Sequence, residues 1–197
     1  MTRRIAVSSK VGDARARHYR DTLKTTFPEA ELEDVTTAAL YTIETTISDK
    51  ELRRVAGLLA NPLIEAFSLG LVPYPAGASF AMEIGYLPGV TDNVGKTARE
   101  TIEDAMGRKF RSDKAVYSSI ALFLTGTLSR KDVEKFAQEL HNPLIERASI
   151  YSRDDFKKGL PIVIPKVRLK ATSSRASEVS LNVLEEELVR IGKEGIK

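Results

Sequence analysis

Part of this 197-residue chain occurs twice, and nothing else in it limits the possible folds as strongly. Shifted by 81 positions, Ile47–Leu69 (ISDKELRRVAGLLANPLIEAFSL) lies over Leu128–Ile150 (LSRKDVEKFAQELHNPLIERASI). Ten of these 23 positions are identical: Ser48, Lys50, Ala56, Leu59, Asn61, Pro62, Leu63, Ile64, Glu65 and Ser68 all recur. Unrelated segments agree at about one position in twenty, so the chain is a duplication of one structural unit. Its length accommodates two small units or one mid-sized domain.

Each copy carries the same local signals. Ser48 with Glu51, and Ser129 with Asp132, read as capping-box helix starts. Leu52, Val55, Ala56 and Leu59 recur at helical spacing, matched by Val133, Phe136, Ala137 and Leu140, so each helix has one buried stripe. Asn-Pro then ends the helix and a β-rich run follows. Upstream, strands are expected at Arg4–Ser8, Leu32–Thr37 and Tyr41–Thr46 in the first copy, and at Ala81–Tyr86, Ala115–Ser119 and Ile120–Thr125 in the second. Helices are expected over Ala14–Phe27 and Thr91–Met106.

The resulting order, β-α-β-β-α-β twice, predicts an α+β fold of two tandem ferredoxin-like units, each an antiparallel sheet with helices on one face. Such sheets leave edges or faces open, which favours packing of the two units as an internal pseudo-dimer. The expected boundaries are 1–69 for the first repeat, 70–79 for a Pro/Gly-rich linker, 80–152 for the second repeat and 153–197 for a C-terminal arm and helix. In that last part, Pro161–Lys170 reads as an extended arm or edge strand, and Leu181, Leu184, Leu188 and Ile191 lie at helical spacing.

The chain contains no Cys, which excludes disulfides, thiolate metal sites and cysteine nucleophiles. Its two histidines, His18 and His141, have no visible triad or metal partners, so no metal site is expected. The loop Gly89-Val-Thr-Asp-Asn-Val-Gly95-Lys96-Thr97 imitates a phosphate-binding loop between strand and helix. Five residues separate its glycines where a Walker loop has four, and one of them is the anionic Asp92. A helix-capping turn is the better reading. In the repeated pentapeptide, Asn61-Pro62-Leu63-Ile64-Glu65 and Asn142-Pro143-Leu144-Ile145-Glu146, Asn and Pro are expected to make a turn, Leu and Ile to enter the core, and Glu to face solvent. No catalytic, cofactor-binding or metal-binding residue is expected.

Residues 1–69 and 70–150 each hold ten basic and ten acidic side chains, whereas 151–197 holds ten and seven, so the net charge of +3 lies in the last part. This balance is far from the basic excess of a nucleic-acid binder. No apolar run approaches the roughly 20 residues of a membrane span, and the apolar stretch after Arg4 is too short for a signal-peptide core. A cytoplasmic protein is expected.

Leu87-Pro88-Gly89-Val90-Thr91-Asp92, Gly95, the helix after it, and Leu140–Glu146 resemble the PurS family, the small subunit of phosphoribosylformylglycinamidine (FGAM) synthase in purine biosynthesis. The first copy is similar through Leu59–Glu65, although its opening, Ser9–Asp13, is shorter than the family's Pro-Gly-Val turn. The tail Val179–Ile196 is similar to the stretch that leads into the PurL synthetase in fused enzymes. The resemblance implies a non-catalytic assembly subunit, or N-terminal region, that bridges a PurL-type synthetase and a PurQ-type glutaminase and supports ammonia transfer. ATP, Mg and glutamine are then used by those partners, and this chain alone is expected to show no turnover. A tandem copy implies a covalent replacement for the PurS homodimer, with further homo-oligomerisation possible. Two rival classes are a tandem ACT-like module binding a small molecule at the repeat interface and an enzyme using the Gly95-Lys96-Thr97 loop.

Overall fold

The computed structural model describes residues 2–167 and 182–194. Its first repeat runs β1 (Arg3–Ser9), α1 (Ala14–Thr26), β2 (Glu31–Ile43), α2 (Asp49–Leu59) and β3 (Glu65–Leu69). The second runs β4 (Ala78–Tyr86), α3 (Asn93–Met106), β5 (Val116–Thr127), α4 (Arg130–Leu140) and β6 (Glu146–Ser152), followed by the short helix α5 (Arg153–Phe156). Each repeat is therefore β-α-β-α-β, with three strands in place of the four expected. Leu32–Thr37 and Tyr41–Ile43 belong to one strand, which ends before Glu44–Thr46, and Val116–Ser119 and Ile120–Thr125 belong to another. The reason is local: Ala38-Ala39-Leu40 and Ser119-Ile120-Ala121 contain no Gly, Pro, Asn or Asp with which to turn. The two long strands also pair with each other from Glu31 opposite Thr127 to Ile43 opposite Val116.

The six strands form one antiparallel sheet in the order β3-β1-β2-β5-β4-β6. Ala39 lies opposite Ile120, its counterpart 81 residues later, and Ala38 opposite Ala121 exchanges with Leu40 opposite Ser119. A pseudo-twofold axis thus passes through the β2–β5 seam. It relates Ser8 to Gly85 and Ala6 to Glu83, since the first of each pair faces Ala38 or Leu40 and the second faces Ser119 or Ala121.

The helices cross between repeats. Leu52, Val55 and Ala56 of α2 share a core with Ala98 and Ile102 of α3, over Ile5, Val7 and Ile43. Leu23 of α1 packs with Val133, Phe136 and Ala137 of α4, over Met82, Ile84, Leu122 and Leu124. The Phe27 and Phe136 rings lie 5.3 Å apart where these helices meet. Each core therefore draws on both repeats. Both expected capping boxes are formed at Ser48/Glu51 and Ser129/Asp132.

The opposite sheet face is also covered. Ala6, Ala38, Leu40, Ala81, Ala121 and Phe123 pack there against Val72 of the linker and against Phe156 and Leu160. From Lys157 to Val167 the chain has neither helix nor strand. It is fastened by the Arg4 guanidinium, which donates to the carbonyls of Leu160 (3.4 Å) and Pro161 (3.2 Å), and by Lys166 on Glu44 at 2.5 Å. The chain divides into two compact units, Met1–Val167 and Arg168–Lys197. In the second, α6 (Glu185–Glu194) has three glutamates in its first turn and Lys193 in its last, as the helix dipole favours. Leu184 before it is exposed, and Leu181 lies outside the described residues. No helix among the described residues is long and apolar enough to cross a membrane.

Candidate functional site

The repeated pentapeptide forms a closed turn in both copies. The Asn61 side-chain oxygen accepts from the Leu63 amide at 3.0 Å, while the Asn61 amide donates to the Glu65 carboxylate at 2.7 Å. Asn142 repeats this with Leu144 (3.1 Å) and Glu146 (2.8 Å). Each Glu therefore clasps its own turn, where free solvation was expected. The apolar residues correct the sequence reading further: Leu63 is 84% exposed and Leu144 83%, with Ile64 at 46% and Ile145 at 42%. The turn is closed by hydrogen bonds alone, which leaves the apolar side chains on the outside. Two equivalent apolar tips result, one before each edge strand.

The Gly89–Thr97 loop is a helix start. Leu87-Pro88-Gly89-Val90 is a β-turn closed by the Val90 amide donating to the Leu87 carbonyl at 3.2 Å, with Gly89 at φ +89°. Asp92 caps α3 through the Gly95 amide at 2.7 Å and also accepts from the Ser118 amide (2.5 Å) and hydroxyl (2.7 Å). A Cβ on Gly95 would lie 2.4 Å from the Val116 carbonyl oxygen, so only glycine lets α3 seat on β5. The carboxylate of Asp92 thus occupies the helix N-terminus that a phosphate would need. In the first repeat Asp13 does the same, accepting from the Arg15 amide at 2.9 Å and from the Thr37 hydroxyl, the counterpart of Ser118. Burial pushes the Asp13 carboxyl up, but these hydrogen bonds and the Arg15 guanidinium hold it below the usual carboxylate value. His141 hydrogen-bonds its own helix through Nδ1 on the Ala137 carbonyl, and His18 lies against Tyr19.

The residues that sequence reasoning missed lie on the sheet face opposite the helices. Arg4 reaches across β2 and β5 to Glu83, at 3.2 Å, with both side chains 1% exposed. The Thr42 hydroxyl accepts from Arg4 (3.4 Å), and the Ser119 hydroxyl donates to Glu83 (2.8 Å). Arg147 stands 3.9 Å from the same carboxylate. The second Glu83 oxygen and the Arg147 Nε have no hydrogen-bond partner among the described residues. The pseudo-twofold counterparts of Arg4, Thr42, Glu83, Ser119 and Arg147 are Ala81, Phe123, Ala6, Ala38 and Ala66. One side of the face is thus charged where the other is apolar. The available signal was an ionisable residue at an inward position of each strand, in Arg3-Arg4-Ile5 and Met82-Glu83-Ile84.

This divergence leaves two unequal hollows at equivalent places. Beside the α3 N-terminus, a space of about 80 Å3 is lined by Thr42, Glu83, Asp92, Tyr117 and Arg147 and closed by Val163 and Pro165. Beside the α1 N-terminus, a hollow of about 580 Å3 is lined by Asp13, Arg17, Thr36, Tyr74 and Phe123 among others. Thr36 takes the place of Tyr117, and Phe123 that of Thr42. Among the described residues, no group of three or more His, Asp or Glu is placed to hold a metal ion. No family model matches the chain, and no curated protein matches it.

Proposed function

We propose that this chain is a non-catalytic assembly subunit, or N-terminal region, of FGAM synthase, acting in the cytoplasm. In this reading it bridges a PurL-type synthetase and a PurQ-type glutaminase, and supports passage of ammonia between them. The two repeats replace a homodimer by one chain, which makes the pairing intramolecular at an effective concentration of order millimolar.

The observation that carries this reading is the pair of apolar tips. Asn and Glu of each pentapeptide serve the turn, but Leu63 and Leu144 lie almost fully in solvent and contribute little to the core. Apolar side chains held out at two matched positions suit a partner surface. ATP, Mg and glutamine belong to the partner subunits. The test is co-purification with synthetase and glutaminase, followed by glutamine-dependent FGAM formation with and without this chain. Complex formation and a dependence of turnover on the chain are expected. Complete activity without it, and no complex, would overturn the reading.

A further inference from the structure

We infer that the open hollow beside α1 binds a small molecule consisting of a planar ring that bears one anionic group. This inference is independent of the assembly role.

Its size is the first argument. At about 580 Å3 the hollow lies in the range of small-molecule pockets, whereas its pseudo-twofold counterpart holds about 80 Å3. The two are built on the same strands, but Thr36 stands where the second repeat has Tyr117, Phe123 stands where it has Thr42, and Val163 and Pro165 line only the smaller one. At the Thr36 position the first repeat therefore lacks the ring that its duplicate supplies. The Thr36 hydroxyl oxygen, in the lining of the hollow, is buried and has no hydrogen-bond partner among the described residues, which native proteins rarely tolerate.

The walls fit a ring. Tyr74 lines the hollow, is 38% exposed and offers aromatic surface to a planar guest, while Phe123, only 2% exposed, backs it at a centroid distance of 6.4 Å. The rim fits an anion. Asp13 is committed to Thr37 and the Arg15 amide, and Asp34 faces Arg20 at 3.7 Å. Arg17 makes no ion pair among the described residues, and its Nη2 lies 3.9 Å from where a Gly12 side chain would begin. Asp13 already supplies the carboxylate that the α1 N-terminus favours and stands 3.7 Å from the Arg15 guanidinium, so Arg17 is the cation left over at the rim. An anion at the rim pairs with the Arg17 guanidinium.

The anion can be a phosphate or a carboxylate, and the experiment separates them. The full chain is titrated with AMP, with 4-hydroxybenzoate and with inorganic phosphate, following the amide resonances of Gly12 and Thr37. At least one ring-bearing anion is expected to shift both resonances saturably, and phosphate alone to bind more weakly. Arg17→Ala should weaken binding by about tenfold, the usual loss for one charge-assisted hydrogen bond. Thr36→Tyr, which restores the ring present in the second repeat, should abolish binding. Thr36→Val keeps the volume and should weaken binding without abolishing it, so a folding defect in the tyrosine variant leaves the test intact. The inference is overturned if neither ring compound binds, if phosphate binds as tightly as both, or if Arg17→Ala and Thr36→Val both leave binding unchanged.

Discussion

Arg4 of the first repeat and Glu83 of the second form a buried ion pair at 3.2 Å across the β2–β5 seam. Their pseudo-twofold counterparts, Ala81 and Ala6, leave the equivalent place apolar. Desolvation makes such a pair a poor source of net stability, but removing one partner strands the other charge. Glu83→Ala should therefore cost about 3–5 kcal/mol. The double variant Arg4→Met, Glu83→Leu should recover most of that loss. Urea unfolding of the three proteins checks this; a double variant as unstable as the single one would show that packing, not charge, is at stake.

The exchange of helices across the seam makes the repeats interdependent. Residues 1–72 alone lack α3, so Leu52, Val55 and Ala56 would lose Ala98 and Ile102. Residues 73–167 alone lack α1, so Phe136 would lose Leu23 and Phe27. As separate monomers the two fragments should show little cooperative unfolding by circular dichroism, and mixing them should restore a transition. A sharp transition in a monomeric fragment would contradict the shared cores.

Acid should loosen the loop after α3. The Phe110 amide, Arg99 and Lys109 hold the Glu103 carboxyl down at about 2, against an ordinary 4.5. The Ser48 hydroxyl and amide likewise hold Glu51 at about 2. A lowered folded-state value means that the contribution is present above the ordinary value and is lost as pH falls through the lowered one. Stability should thus decline between about pH 4.5 and 2. Glu103→Gln should be less stable at pH 7 and fall less steeply over that window, as read from denaturant midpoints at each pH. Parallel curves for the two proteins would remove Glu103 from the account.

Local signals were legible in the sequence wherever the chemistry was local. Ser48 with Glu51 and Ser129 with Asp132 cap their helices as their spacing requires, and the 81-residue offset reappears as the register of Ala39 on Ile120. What stayed hidden is non-local. No sequence pattern says that β2 finds β5 along its whole length, and that pairing turns two expected strands into one. Nor does any say that Arg4 meets a carboxylate 79 residues away. The pentapeptide misled for a different reason. Leu63-Ile64 looks like the start of a buried strand, but the Asn61–Glu65 clasp closes the turn one step earlier and turns the apolar pair outward.

The tips separate stability from assembly. Leu63 and Leu144 are more than four-fifths exposed, so replacing both with Asp removes little buried surface. Exposed substitutions of this kind usually change stability by no more than about 0.5 kcal/mol. The thermal midpoint of Leu63→Asp, Leu144→Asp should stay close to that of the parent chain. If the tips are the docking points of the proposed complex, the same variant should fail to co-purify with synthetase and glutaminase, because a buried aspartate without a partner opposes association. Each single substitution should give a partial loss, since the two tips are related by the pseudo-twofold axis and present the same pentapeptide. A double variant that assembles as well as the parent would move the interface away from the tips, to the sheet edges β3 and β6 beside them.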